Sequence, residues 1–205
     1  MVELLLIRHG QSVGNAEGRF GSHGPTPLTA LGLKQAEALA GVLANEPLVA
    51  LYSSDLHRAV QTAMPTAKRL GLKLETDVRL RERNVGQFEG LSFLEAEKLF
   101  PVEYAGMMSR DPDSRPPGGE NHHECLTRVR AACDEIVARH PRGRIGIISH
   151  AMTLNQLLRS LLGIPAALRA PWFRTDNTGI HHLRLEADGR LQVLALNARG
   201  HVAHL

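Results

Sequence analysis

A chain of 205 residues with 43% hydrophobic and 22% charged side chains has ordinary globular composition, which excludes collagenous, disordered and disulfide-scaffold classes. At this size folding buries roughly 70% of the surface that the unfolded chain exposes. The net charge of +3 is spread along the whole chain, leaving no basic block of the kind that binds nucleic acid, and no apolar stretch approaches the ~18 residues of a membrane span.

Taken in chain order, Val2 to Ile7 is a short run, apolar except for Glu3, that stops at Arg8-His9-Gly10 as a strand buried on both faces does. A loop punctuated by glycine and proline follows, and Thr29 then caps a helix with apolar positions at Ala36, Leu39, Ala40 and Leu43. Leu48 to Tyr52 predicts a second strand. It ends in Ser53-Ser54-Asp55, where Ser54 or Asp55 is the expected cap of a helix from about Leu56 to Leu70, with Gly71 as its stop. A third strand near Lys73 to Thr76 leads into the segment Leu80 to Gly90, and Ser92-x-x-Glu95 is a capping box for a small helix.

Residues 111–119 are a loop by composition, after which Asn121 and Glu124 cap a long helix reaching about His140. Arg144 to Ser149 is the next strand, ending at His150, and helix follows to Gly163. Residues 180–186 and 190–196 flank Asp188-Gly189, a dipeptide that favours a tight hairpin. Strands alternating with helices predict an α/β fold: a three-layer sandwich with a mostly parallel central sheet and helices on both faces.

Cys125 and Cys133 fall eight apart in one helix, ~12 Å at 1.5 Å per residue, which exceeds the ~7 Å reach of a bridge. They are expected to be reduced core residues, in keeping with a reducing, cytoplasmic setting. The first eight residues contain no apolar run of signal-peptide length, so no export signal is expected.

The unusual feature is a set of eleven histidines. Three predicted strands end in Arg8-His9, in Ser54-Asp55 followed by Arg58, and in Ser149-His150, and parallel topology brings these ends together where open α/β sheets bind ligands. Two arginines converging there make an anion site, and the guanidinium fork matches phosphate oxygens. A covalent route for a phosphoryl group also needs a nucleophile and a proton source. A neutral histidine meets the first need, with one ring nitrogen held by a backbone carbonyl and nearby arginines opposing its protonation. Glu82, in Leu80-Arg81-Glu82-Arg83, is the candidate acid, because a carboxyl beside an anionic ligand is expected to keep its proton near neutral pH. Without such a ligand it reads as a solvated charge between two arginines.

The blocks Leu5-Leu6-Ile7-Arg8-His9-Gly10-Gln11-Ser12 with Asn15, then Gly18-Arg19 and Pro27-Leu28-Thr29-x-x-Gly32, resemble the histidine phosphatase superfamily, which includes cofactor-dependent phosphoglycerate mutases and many phosphatases. Ser53-Ser54-Asp55-Leu56-x-Arg58-Ala59-x-Gln61-Thr62-Ala63, Leu80-x-Glu82 with Gly86 and Glu89-Gly90, Gly118-Gly119-Glu120 and Ser149-His150 continue the series in family order, over about residues 3 to 185. The resemblance implies one domain over residues 1–205, a phosphohistidine at His9, a phosphate clamp of Arg8, Arg58 and His150, and Glu82 as proton donor. It also places Asn15, Ser22 and the Ala151 backbone on the phosphate or substrate. Ser22 and Ala151 stand where glycine is usual, which bears on the mouth of the pocket rather than on the reaction.

The remaining histidines read differently. His122-His123-x-Cys125 lacks the second ligand pair of a zinc site and is expected on a surface turn. His181 and His182 alternate across a strand, so at most one faces the site. Met107 and Met108 line the substrate mouth or form the core of a lid, and Arg110 and Arg115 are expected in solvent, with reach to an acidic substrate as the alternative. The implied activity is metal-independent, cofactor-free hydrolysis of a small phosphorylated metabolite, with a homodimer left open and no nucleic-acid or membrane partner. A phosphoglycerate mutase is the alternative within the same chemistry. The short interval from Glu82 to His150, and Gln11 where mutases have glutamate, favour hydrolysis. A noncatalytic phospho-ligand module is the alternative of another class, although it would be expected to lose one of His9, Arg58, Glu82 or His150.

Overall fold

The computed structural model describes residues 1–205. A six-stranded sheet runs through it, built from β1 (Val2–Arg8), β2 (Leu48–Ser53), β3 (Leu74–Thr76), β4 (Gly143–Ser149), β5 (Ile180–Leu185) and β6 (Leu191–Ala198) in the spatial order β3-β2-β4-β1-β5-β6. The first four strands are mutually parallel, β5 lies antiparallel to β1, and β6 closes the edge as a hairpin partner of β5.

Alternation along β1 sorts its side chains between two apolar layers. Leu4 and Leu6 face α6 (His122–Arg139) and α7 (Ala151–Leu161), with Val129, Ile136, Leu154 and Leu157 among the packed residues. Leu5 and Ile7 face α2 (Ala30–Leu43) and α3 (His57–Leu70) through Leu39, Leu43, Ala59 and Ala63. The result is the expected three-layer α/β sandwich, and both cysteines are free and buried in the α6 layer.

Three local structures depart from the sequence expectations. The start of α3 has no side-chain cap: Leu56 is the cap residue, Asp55 is taken by Arg81, and Ser54 Oγ instead accepts from the Leu56 N–H at 3.2 Å. Ser12 and Asn15 close a capping box around a four-residue helix, α1 (Val13–Ala16), inside a stretch expected to be loop. The small helix α4 (Phe93–Leu99), opened by its Ser92 and Glu95 box, is followed by a further helix, α5 (Pro101–Met108), with proline at its first position. Here Val85, Phe88, Ala96 and Met107 form a separate small core beside the carboxyl end of the sheet.

Two glycines let the β1 loop pass against α2. A Cβ on Gly10 would stand 2.7 Å from the Gly32 carbonyl oxygen, and one on Gly32 would stand 2.1 Å from that of Gln11. Neither backbone has room to yield, so this close approach fixes the direction in which the chain leaves Arg8-His9.

Candidate active site

Four segments meet at one end of the sheet. β1 delivers Arg8 and His9, β2 delivers Ser54 and, through the first turn of α3, Arg58, while β4 delivers His150 as the cap residue of α7. Because β5 is antiparallel, the segment that enters it also reaches this end. Arg8 Nη1 donates to the Thr175 carbonyl at 2.9 Å, and Asn177 Nδ2 donates to the His9 carbonyl at 3.0 Å.

His9 is 3% exposed. Its Nδ1 lies 2.6 Å from the Gly10 carbonyl oxygen, which only accepts, so Nδ1 carries the proton and Nε2 keeps its lone pair. Burial, followed by the charges of Arg8 and Arg58, holds its pKa well below the usual imidazole value, and the ring is neutral at pH 7. The His150 ring lies 5.0 Å from it, centroid to centroid. His150 Nε2 stands 2.8 Å from Ser54 Oγ, and its Nδ1 has no protein partner. Its pKa is also lowered well below the ordinary value, first by burial and then by Arg58, His9 and Arg8.

Arg58 is nearly enclosed, with Nη2 donating to the Ser22 carbonyl at 2.6 Å and Nη1 to that of Gly24 at 3.3 Å. A single hydroxyl couples the loop after β1 to the start of α3: Thr62 Oγ1 accepts from the Gly10 N–H at 3.0 Å and donates to the Arg58 carbonyl at 2.7 Å. Arg8 Nε is buried without an acceptor. Two guanidinium groups, a spare arginine donor and an unpartnered imidazole nitrogen make a centre whose chemistry suits an oxyanion.

Glu82 borders this centre, and its charge acts on both Arg8 and Arg58. The start of α7 positions its carboxyl group: the Thr153 N–H donates to Oε1 at 3.1 Å and the Met152 N–H to Oε2 at 3.3 Å, while the neighbouring Arg83 N–H donates to Oε1 at 2.9 Å. Free N–H groups at a helix start are suited to this use. The Glu82 carbonyl is held as firmly, accepting from Arg128 Nη2 at 2.9 Å with His23 Nε2 at 2.8 Å.

The expected binding residues are placed as follows. Asn15 is exposed, and its Oδ1 accepts from the Ser12 N–H and from Asn177 Nδ2, so the amide nitrogen is the group it has to offer. Ser22 is not at the mouth. It is buried, its hydroxyl accepts from the Val85 N–H at 3.0 Å, and its carbonyl aims Arg58. Ala151 is the first residue of α7, directly after His150.

Several supports have no counterpart in the sequence expectations. Arg128 donates to the carbonyls of Arg79, Arg81 and Glu82 and pairs with Glu120 at 2.8 Å, which gives the Gly118-Gly119-Glu120 block a bracing role beside the site. The signal that was present is an acid at the loop end with an arginine two turns into α6. Arg83 is fully buried, donating to the carbonyls of Glu120 and Ser114. His122 is not on a surface turn either: it opens α6, is 4% exposed, and lies against Trp172 and Gln156. Arg110 is exposed, as expected, with its guanidinium over the Trp172 ring at 5.0 Å, and Arg115 is exposed and pairs with Glu124. His181 is buried behind Thr175, and His182 pairs with Glu3.

Comparison with known proteins places the fold and the family. The chain is 36% identical over 169 residues to a protein named probable phosphoglycerate mutase GpmB from Yersinia pestis, an alignment covering 81% of this chain and 77% of that one. The solved structure of Bacillus stearothermophilus YhfR superimposes with a TM-score of 0.91 at 26% identity, over 98% of this chain and 99% of the other. A mycobacterial glucosyl-3-phosphoglycerate phosphatase does so with a TM-score of 0.86 at 28% identity, over 96% and 99% of the two chains. A model of the histidine phosphatase superfamily (branch 1) matches residues 4–199, and the chain belongs to that superfamily.

Proposed function

We propose that the chain is a phosphomonoester hydrolase that carries the phosphoryl group on His9. The observation that supports this most directly is the His9 ring itself, neutral and fixed through Nδ1 to the Gly10 carbonyl, with its Nε2 lone pair free and the charges of Arg8 and Arg58 acting on the ring. Nε2 attacks phosphorus and forms an N–P bond as the P–O bond to the alcohol breaks. Glu82 gives its proton to the departing alcohol oxygen. Water then attacks the phosphohistidine, returning a proton to Glu82 and releasing inorganic phosphate with His9 neutral again. Arg8, Arg58 and His150 surround the phosphoryl oxygens, where positive charge and N–H donors stabilise a transition state whose charge is spread over those oxygens.

In this reading Asn15 and the Ala151 N–H supply further donors at the rim, and Ser22 acts through Arg58. Residues 1–205 act as one catalytic domain on a small phosphorylated metabolite in the cytoplasm. The positive charge that magnesium supplies in other phosphoryl-transfer sites comes here from arginine, so turnover is expected to survive exhaustive chelation. No helix is long and apolar enough to cross a membrane.

The 36% identity to a probable phosphoglycerate mutase favours a second reading with the same residues, in which the alcohol stays bound and recaptures the phosphoryl group. One experiment separates the two. Incubated with 3-phosphoglycerate and catalytic 2,3-bisphosphoglycerate, a hydrolase forms 2-phosphoglycerate far more slowly than it releases phosphate from its best ester. Isomerisation that outruns hydrolysis across a panel of phosphorylated sugars, glycerates, nucleotides and amino acids replaces the first reading with the second. Absence of turnover on 4-nitrophenyl phosphate removes both.

A further inference from the structure

A cavity of about 270 Å³ opens beside Glu82. Its walls are Phe20, Met107, Met108 and Trp172, with Met152 next to the acid, since the Met152 N–H donates to Glu82 Oε2. If Glu82 protonates the alcohol oxygen, the rest of the alcohol extends from beside Glu82 and away from His9, and this cavity, joined to Glu82 through Met152, is the apolar space next to the acid. The inference therefore rests on the hydrolase reading.

The polar inventory of the cavity is one-sided. His122, buried in its lining, receives the Gln156 amide N–H at Nδ1, which leaves the proton on Nε2, and that N–H has no acceptor. Arg83, fully buried and close enough for its charge to act on the His122 ring, has spent Nε and Nη2 on carbonyls, and its Nη1 is unpaired. Arg110 lies across the Trp172 face at the rim. No carboxylate lines the cavity. Buried donors without acceptors are rare because each forfeits the hydrogen bond it had with water. Burial, then Arg83 and Arg159, lower the His122 pKa to about 3, so the ring in the free protein is a neutral donor awaiting an acceptor.

The wall material narrows the guest. Phenylalanine, tryptophan and three methionines give flat apolar surface with sulfur against it, which suits a planar carbon body better than a heavily hydroxylated one. We propose that this cavity holds the alcohol portion of the substrate, and that this portion is a planar, largely apolar body ending in an anionic oxygen such as a carboxylate. The His122 Nε2–H donates to that oxygen, with the charges of Arg83 and Arg110 behind it. His122 is then a specificity-determining residue, and Trp172 the wall against which the body lies.

The test compares two esters matched at the leaving oxygen, 4-(carboxymethyl)phenyl phosphate and 4-ethylphenyl phosphate, with 4-nitrophenyl phosphate as a common reference. The expected result is a kcat/KM at least about tenfold higher for the carboxylated ester, carried mainly by KM. In H122F, which keeps a ring against Trp172 but removes the donor, the ratio between the two esters falls towards one. In H122Q, whose amide nitrogen reaches towards the place of Nε2, part of the ratio returns. Because the readout is a ratio within each variant, a general loss of activity does not imitate it. Equal turnover of both esters, or a ratio unchanged in H122F, overturns the assignment of the cavity while the hydrolase reading stands. No turnover of the reference ester overturns both.

Discussion

At the phosphoryl centre Arg8, His9, Arg58 and His150 stand at a strand end or a helix start, and every functional side chain but His150 is tied to backbone. His9 is bound to Gly10, Arg8 to Thr175, Arg58 to Ser22 and Gly24, and Glu82 to the first turn of α7. The neighbouring cavity is walled by side chains from α5, the start of α6 and the segment before β5, with apolar surface and unpaired donors in place of such ties. The difference separates two tasks. Chemistry needs a few atoms held within tenths of an ångström, which the sheet supplies, whereas choice among substrates needs a shape that connecting segments can vary without disturbing that geometry.

The comparison breaks most visibly at His9. His9→Ala is expected to lower turnover of an aryl phosphate by about 10⁴-fold or more, with the circular dichroism spectrum unchanged and the acid-labile, base-stable phosphoprotein absent after quenching. Substantial residual activity would remove the covalent route.

The next effect belongs to the acid, and its size depends on the substrate. Glu82→Gln keeps the acceptor geometry at Oε1 but has no proton to give. Alkyl phosphates, whose alcohols are poor leaving groups, are expected to slow by about 10² to 10³, and 4-nitrophenyl phosphate by less than about tenfold. An equal loss on both would place Glu82 in binding rather than in proton transfer.

His9 was legible in the sequence for a physical reason that does not extend to Glu82: short apolar runs fix where strands stop, and parallel strands that stop together must share an edge. Arg8-His9, Arg58 and Ser149-His150 therefore declare themselves without coordinates. The same logic gives the layers, because Leu4 and Leu6 must face one side of the sheet and Leu5 and Ile7 the other. What stayed hidden is whatever depends on a long-range pairing of single side chains. Arg128 sits in the middle of a helix whose local pattern is satisfied by any long polar residue, and only the fold brings it under the Arg79 to Glu82 backbone. His122 was misplaced because a histidine pair at a helix start ordinarily faces water, and its partner Trp172 lies fifty positions away in a segment without periodicity. Ser54 was read as a helix cap, which is what serine usually does there, although its hydroxyl also faces His150.

Arg128 gives a sharper test of the boundary between the two regions, since it is expected to touch neither phosphate nor alcohol and to act on the reaction through the backbone of Arg79 to Glu82. Arg128→Met is expected to lower kcat about tenfold on alkyl phosphates with KM little changed, and to have a smaller effect on 4-nitrophenyl phosphate. The same loss on both esters would mean that Arg128 merely supports the fold. The variant is also expected to be less stable by about 2 kcal/mol, because Glu120, half-buried, loses its partner.

The smallest expected effect on activity lies near the other end of β1, at Glu3. Its neighbours in the sheet register are Arg144 on β4 and Arg184 on β5, and its carboxylate accepts from both and from His182. Burial alone would raise its pKa, but these hydrogen bonds outweigh burial and lower it to about 2. The sign follows: a carboxyl ionised more readily in the folded chain contributes stability above its ordinary value of 4.5, and that contribution is lost as the pH falls towards about 2. At 1.36 kcal/mol per pH unit it amounts to at most about 3 kcal/mol. His181 and His122 act earlier on the pH scale and through the opposite charge. Burial lowers them to about 4 and about 3, Arg83 and Arg159 adding to the effect at His122, so the unfolded chain takes up their protons first and stability declines as the pH drops below about 6.5. Urea titrations of the wild type should therefore show a loss that begins below pH 6.5 and steepens below 4.5. Glu3→Gln should be less stable by a constant amount above pH 5, with the gap closing between 4.5 and 2, while kcat/KM at pH 7 stays within twofold of the wild type. A gap that persists unchanged to pH 3 would show that Arg144, Arg184 and His182 do not hold Glu3 ionised, and a large loss of activity would show that the sheet end opposite the site is not independent of it.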